Sequence, residues 1–304
     1  MATGTSAPPT SAVIKPAKRA KSRESGAALW TATPLTYVAL IITTLLSIFP
    51  IYYMFVLGTR TADQVGAVPP PLTPGTHFID NLTRLFANDE AQFLRGLGNS
   101  LLVSSTITVS VVFFSSLAGF AFAKLRFRGK NALLLIVIGT MMVPTQLGII
   151  PLYMMMASDT LQWTGELQAV IVPALVSGFG VFMMRQYAGQ AVPDELIEAA
   201  RIDGCGTFRM FWSVVLPGLR PAAAVLGLLT FMTSWNDFIW PYTVLFGSDN
   251  PTVQTSLATL SNGFYDDLPQ IFVGAAVATV PLLIVFVVFG KQIIGGIMNG
   301  AVKG

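Results

Sequence analysis

Residues 271–290 read IFVGAAVATVPLLIVFVVFG, twenty consecutive positions without a charged side chain. A helix of that length rises about 30 Å, the thickness of a bilayer's hydrocarbon core. The stretch therefore reads as a membrane span, and the rest of the chain agrees with it. Of 304 residues, 53% are hydrophobic and only 11% charged, and the mean hydropathy is +0.65. That is too apolar and too charge-poor for an ordinary soluble domain.

Working back from this stretch, five more runs of similar character can be counted. They extend from about Leu35 to Gly58, Ser100 to Ala123, Ala132 to Ala157, Gln168 to Met184 and Ala222 to Tyr242, with Ile271 to Gly290 as the sixth. The predicted fold is an all-α membrane protein with six transmembrane helices. Pro144, Pro151 and Pro173 fall inside the third and fourth spans, where neighbouring helices can re-satisfy the freed carbonyls, so both spans are kept, with kinks expected.

Basic residues set the expected orientation, because short positively charged loops resist translocation. Fifteen of the 18 Lys and Arg residues fall on one side: in the N-terminal tail, the loop after span two, the loop after span four and the C-terminus. Only Arg60, Arg84 and Arg95 fall on the other. Both termini are expected to be cytoplasmic. The same scatter removes nucleic acid as the meaning of the basic pI of about 9.1, since no single face collects the charge.

Residues 1–34 are too polar to bury a core and read as a disordered cytoplasmic tail, leaving 35–304 as one membrane domain. No cleaved signal peptide is expected, because the first apolar run is longer than a signal h-region and lacks a small-residue cleavage site. Between Thr59 and Asn99 lies the longest connection, stiffened by Pro69, Pro70, Pro71 and Pro74 and expected to cap the bundle through its second half. His77 within it reads as structural. The single cysteine, Cys205, excludes an internal disulfide.

One polar island interrupts the apolar pattern, Pro193-Asp194-Glu195-Leu196-Ile197-Glu198-Ala199-Ala200-Arg201-Ile202-Asp203-Gly204. Pro193 suits a first helical position, Asp194 and Glu195 put negative charge at the positive helix end, and Gly204 sits where a helix stops in a left-handed turn. A helix of about three turns is predicted, with Leu196, Ala199, Ala200 and Asp203 on one narrow face that admits another backbone. Glu198 stands three residues from Arg201, close enough to pair with it or with a partner. Thr207 is placed to cap a second short helix to about Val215, with Phe208, Phe211, Trp212 and Val215 on one face, after which Leu216-Pro217 is expected to turn the chain back into the membrane.

At Glu198-Ala199-Ala200, Gly204, Val214 and Leu216-Pro217 the chain resembles the cytoplasmic EAA signature of permease subunits of bacterial ABC importers, with Val214 in place of the commoner Ile. Within that family it is similar to the carbohydrate-uptake group related to the second maltose permease subunit, through Ala199–Gly204, Trp235–Pro241 and the terminal Gly300–Gly304. The resemblance spans residues 35–304 and implies a type-1 ABC transmembrane domain. It implies a coupling helix between spans four and five that docks on a separate ATP-hydrolysing subunit, with Glu198 anchoring, Ala199 and Ala200 allowing close approach, and Arg201, Asp203, Gly204, Leu216 and Pro217 completing the element. It also implies a C-terminal contact to the ATPase through Gly300, Val302 and Lys303. The implied activity is ATP-driven import of a sugar, more specifically an oligosaccharide, with a polyol or glycerol phosphate as the alternative. The implied partners are a second permease subunit, paired ATPase subunits and an extracytoplasmic sugar-binding protein, all at the bacterial cytoplasmic membrane.

Asn236, Asp237 and Trp240 are candidates for the substrate path, because Asp237 is the one acidic residue near the middle or end of a span and indole faces suit sugar rings. The competing reading makes Trp235, Trp240 and Tyr242 an interfacial aromatic belt with Asp237 capping locally. No phosphate-binding glycine loop, metal-ligand cluster or nucleophile-base pair occurs, so no catalysis and no bound cofactor are expected of this chain, ATP and Mg belonging to the partner. A phosphotransferase channel would need a reactive His or Cys, which His77 and Cys205 do not offer. A secondary transporter would show inverted repeats and coupling charges, and neither is found.

Overall fold

The computed structural model describes residues 33–261 and 267–301, and among these only helices, turns and loops occur. The tail expected at 1–34 lies outside them except for its last two residues. So do Val302 and Lys303.

Five helices are long and apolar enough to cross a membrane, and a sharply bent helix pair brings the number to six if it counts as one span. The first, α1 (Pro34–Gly58), takes in Pro50 without ending. Three of its hydroxyls are satisfied within the helix: Thr43, Thr44 and Ser47 donate to the carbonyls four residues back at 2.7–2.8 Å. Leu35, Leu40, Ile41, Leu45 and Leu46 stand exposed along it, as lipid-facing side chains would.

Residues 51–290 hold the rest of the described side chains. The loop after α1 folds back through bonds from Asn81 Nδ2 to the carbonyls of Gly58 and Arg60, at 3.0 and 2.9 Å. It leads to α2 (Phe78–Phe86), whose Leu85 is fully buried. The expected cap is thus present as a packed helix, and the Arg84 to Asp267 ion pair pins it to the start of the last span. Its predicted second half divides differently, because Phe93 already belongs to α3 (Phe93–Lys124), a helix seven residues longer at its start than the apolar run indicated.

The third span does not survive as one helix. Between α4 (Lys130–Met141) and α5 (Ile149–Met156) the chain turns by 89° at Val143-Pro144. Twelve residues of α4 rise only about 18 Å, so neither half crosses alone. The fourth crossing, Gln168–Ala191, is also interrupted, after Pro173. Here the repair is visible: Ser110 Oγ on α3 donates to the Leu175 carbonyl at 2.9 Å, and Ser177 caps α6 (Gly178–Ala191) by accepting from Gly180 N–H at 3.1 Å.

After α7 (Asp194–Ile202) the chain enters α8, which is continuous over Thr207–Trp235. This corrects two expectations. Leu216-Pro217 makes no turn, and the fifth span ends at Trp235 rather than Tyr242. Residues Phe211–Val215 are wound as a π turn, so the missing donor of Pro217 falls beside a ladder that is already interrupted. Beyond Trp235 come α9 (Ile239–Val244), α10 (Val253–Thr259) and α11 (Leu268–Ala301).

Two apolar cores result. One joins α3, α6, α7 and α8 through Ile107, Val111, Phe120, Met184, Ile197 and Phe211. The other, at the opposite end of α8, gathers Leu85, Phe93, Phe231, Trp235 and Val273. Trp235 is fully buried there and donates Nε1–H to the Ala278 carbonyl at 3.2 Å, so it is a core residue and not part of a lipid-headgroup belt.

Candidate functional site

The polar island folds as a nine-residue helix, α7, with Pro193 one position earlier than expected, at the cap. Its end follows the sequence closely. Gly204 takes φ +73°, its N–H donates to the Arg201 carbonyl at 3.0 Å, and the Cys205 N–H donates to the Ala200 carbonyl at 2.9 Å. That is a Schellman termination, which leaves few carbonyls unsatisfied and stops the helix sharply. A Cβ on Gly204 would meet nothing within 4 Å, so the backbone conformation alone demands glycine there.

Which side faces out differs from the predicted stripe. Ile197 and Ala200 are buried against α8, beside Val192 and the partly buried Cys205. Glu195, Leu196, Glu198, Ala199, Ile202 and Asp203 are exposed, Ile202 by 86%. Ala199 and Ala200 therefore have different surroundings: one lets another chain approach, the other lets α7 lie close on its own core. The reason is the helical angle, since 100° per residue sends neighbouring alanines to different sides. In the same way Phe211 and Val215 turn inward while Phe208 and Trp212 stay outside, their rings 6.1 Å apart.

A cation that the sequence reading passed over as part of a basic loop holds this helix in place. Lys124, the last residue of α3, is only 6% exposed in its side chain and donates from Nζ to Asp194 Oδ1 at 2.6 Å. The Gly189 carbonyl is its second partner, at 3.5 Å. Seventy residues separate Lys124 from Asp194, so no local pattern could have announced the pair. Among the described residues Glu198 and Arg201 form no ion pair, which leaves both free at the surface.

The Asp194 carboxyl is held below its ordinary value of 3.8 by the Lys124 hydrogen bond and then its charge, which outweigh the opposing effect of desolvation, with the smallest contribution, also lowering, from Arg126. A depressed acid contributes in full above its unfolded value and loses that contribution as pH falls through the lower folded one. The mooring should therefore be constant from pH 5 to 8. Transport measured over that range should show no step that disappears in an Asp194→Asn variant.

The path candidates lie at the far end of α8. Asn236 Nδ2 donates back to the Met232 carbonyl at 2.8 Å, the Asp237 backbone N–H donates to the Ser234 carbonyl at 3.4 Å, and Trp240 Nε1–H donates to the Ala169 carbonyl at 3.0 Å. The first two bonds are local to the turn from α8 into α9, whereas the Trp240 bond ties α9 to a carbonyl 71 residues away. Gly300 lies in the last turn of α11, and the rest of the expected C-terminal contact lies outside the described residues. His77 Nδ1 sits 3.2 Å from Asp80 Oδ2 at the start of α2, and among the described residues no cluster could hold a metal ion.

The sequence profile of the binding-protein-dependent transport system inner membrane component family matches residues 112–296, which contain α6, α7 and α8 whole. The arabinooligosaccharides transport system permease protein AraQ of Halalkalibacterium halodurans is 33% identical over 85% of this chain and 92% of its own. The lactose transport system permease protein LacG of Rhizobium radiobacter is 31% identical over 88% and 95%. The sn-glycerol-3-phosphate transport system permease protein UgpE of Yersinia enterocolitica is 30% identical over 86% and 95%. In fold, the chain is similar to a solved bacterial ABC transporter involved in the import of the acidic polysaccharide alginate, with a TM-score of 0.72, 22% identity, and coverage of 84% of this chain and 94% of that one.

Proposed function

The chain belongs to the binding-protein-dependent transport system inner membrane component family, and we propose that it is the sugar-specific permease subunit of an ATP-driven importer, forming half of the translocation path. It is a multi-pass membrane protein. The observation that carries the coupling role is α7: a short helix stopped at both ends, moored to α3 by Lys124, packed on α8, and offering Glu195, Glu198, Ala199 and Ile202 outward. In this reading Glu198 and Arg201 pair with charges on an ATPase subunit, Ala199 allows its backbone to come close, and Gly204 keeps the helix end in register. Hydrolysis of ATP with Mg takes place on that partner, and Gly300, Val302 and Lys303 add a C-terminal contact. Both termini and α7 lie on the cytoplasmic side, and the second permease and a sugar-binding protein complete the assembly.

Two of the relatives carry names of neutral oligosaccharide systems, arabinooligosaccharides and lactose, which supports an oligosaccharide. The glycerol-phosphate relative supports a second reading, a phosphorylated polyol. Uptake into vesicles bearing the full transporter, measured for lactose, arabinotriose and sn-glycerol 3-phosphate, separates them. Glu198→Lys and Gly204→Asp should each abolish uptake and stimulated ATPase while the subunit still inserts. Normal uptake and stimulation in both variants would rule out the coupling role.

A further inference from the structure

We propose that an open cleft at the end of the chain opposite α7 is a subsite for a neutral oligosaccharide, built on an aromatic ladder of α9 and the loop that follows it. This rests on the sugar-permease reading and narrows its cargo. The cleft has a volume of about 540 Å³ and is walled by Tyr153, Thr164, Tyr242, Thr243, Phe246 and Ser248, with Gly165 and Gly247 between them.

Its shape is fixed by cross-links between two loops. Gly165 N–H donates to the Val244 carbonyl at 2.8 Å, Asn250 Nδ2 donates to the Gly165 carbonyl at 2.9 Å, and Trp240 Nε1–H reaches the Ala169 carbonyl. Gly165 and Gly247 both have left-handed backbones, at φ +84° and +72°, so the positions that line the cleft without side chains are also those where a side chain would be strained.

The chemistry of the walls selects the ligand class. Tyr242 and Phe246 of the wall, with ring centroids 5.7 Å apart, extend a four-residue-spaced ladder that starts outside the cleft at Phe238, 5.0 Å from Tyr242; all three are exposed, and Tyr153 adds a ring from α5. Aromatic faces take up the C–H faces of sugar rings, and hydroxyls beside them exchange hydrogen bonds with sugar hydroxyls. Among the described residues the hydroxyls of Tyr153, Tyr242 and Thr164 have no protein partner, whereas those of Thr243 and Ser248 are already engaged. No charged side chain lines the cleft. The sequence neighbours Glu166 and Asp249 are acidic, and the one cation tied to its frame, Arg95, is turned to Asn250 Oδ1 at 3.1 Å. A phosphate ester or acidic sugar would find no counter-charge and two like charges nearby. A neutral sugar of two or three rings meets neither obstacle.

The test uses the full transporter in vesicles with its own second permease, ATPase and binding protein, and follows uptake of lactose, arabinotriose and sn-glycerol 3-phosphate. Tyr242→Ala and Phe246→Ala should each lower arabinotriose uptake about three- to tenfold, in keeping with the loss of one stacking contact, and lower lactose uptake less. Tyr242→Phe keeps the ring and should keep uptake near normal. Saturation-transfer NMR of lactose with the solubilised assembly should show contact signals that both alanine variants weaken. Sugar uptake equal to wild type in both alanine variants overturns the cleft while leaving the permease reading intact. So does loss of the second permease from the purified alanine variants, which would make the ladder a subunit interface. A wild-type assembly that imports only sn-glycerol 3-phosphate overturns both.

Discussion

Asp194→Ala is expected to uncouple transport more severely than Lys124→Met, although the aspartate is the exposed member of the pair. Asp194 is 78% exposed in its side chain and Lys124 only 6%. Removing the lysine frees a carboxylate that water can solvate at once. Removing the aspartate strands a buried ammonium with a single distant carbonyl, and such a charge must move out or be neutralised. Either response lets go of the start of α7. In vesicles carrying the whole transporter, sugar taken up per ATP consumed should fall roughly tenfold in Asp194→Ala, within the usual range of inter-site coupling. Lys124→Met should lose less. The double variant should resemble Lys124→Met and not the sum of the two, because the stranded charge is gone. Additive losses, or a loss larger in Lys124→Met, would show that the pair does not act as a mooring.

The second large effect is on folding. A Cβ added to Gly119 on α3 would lie 2.7 Å from Met184 C and from Arg185 N on α6, backbone against side-chain root, with no flexible atom to yield. Alanine there gains about 1 kcal/mol of helix propensity but forces apart the most extensive helix contact of the bundle, which costs about 1–3 kcal/mol, a net loss of up to about 2 kcal/mol. Gly119→Leu should fail to accumulate in the membrane. Gly227 on α8 is the control: its added Cβ would find ordinary contacts at 3.5 and 3.6 Å, so Gly227→Ala should be neutral or slightly stabilising. Thermal unfolding in detergent, read by tryptophan fluorescence, measures the contrast. Equal midpoints for Gly119→Ala and Gly227→Ala would refute it.

Much of the fold could be read in the sequence wherever a property is carried by one continuous segment. Length and charge located the crossings, and Gly204 marked the end of α7 because only a left-handed residue can close that turn. Prolines were less informative. Pro50, Pro221 and Pro281 remain inside unbroken helices, while Pro144 marks a right-angled break, and the difference depends on which neighbouring group can accept or supply the missing bond. Ser110 is such a neighbour for the interruption after Pro173, and it lies 65 residues from the carbonyl it serves. The site followed the same division. The charged helix and its glycine stop were visible, whereas the inward turn of Ala200, the Lys124 mooring and the framed cleft all depend on packing between distant segments.

Helix α8 has a mechanical property that its residue list conceals. As one unit of 29 residues it is about 43 Å long, well beyond the 30 Å of a hydrocarbon core. One end stands beside α7 and the other carries Trp235 to the edge of the second apolar core. A tilt of about 10° about its middle would displace each end by nearly 4 Å in opposite directions. That is close to the diameter of a water molecule and a half, enough to part or close a row of side chains.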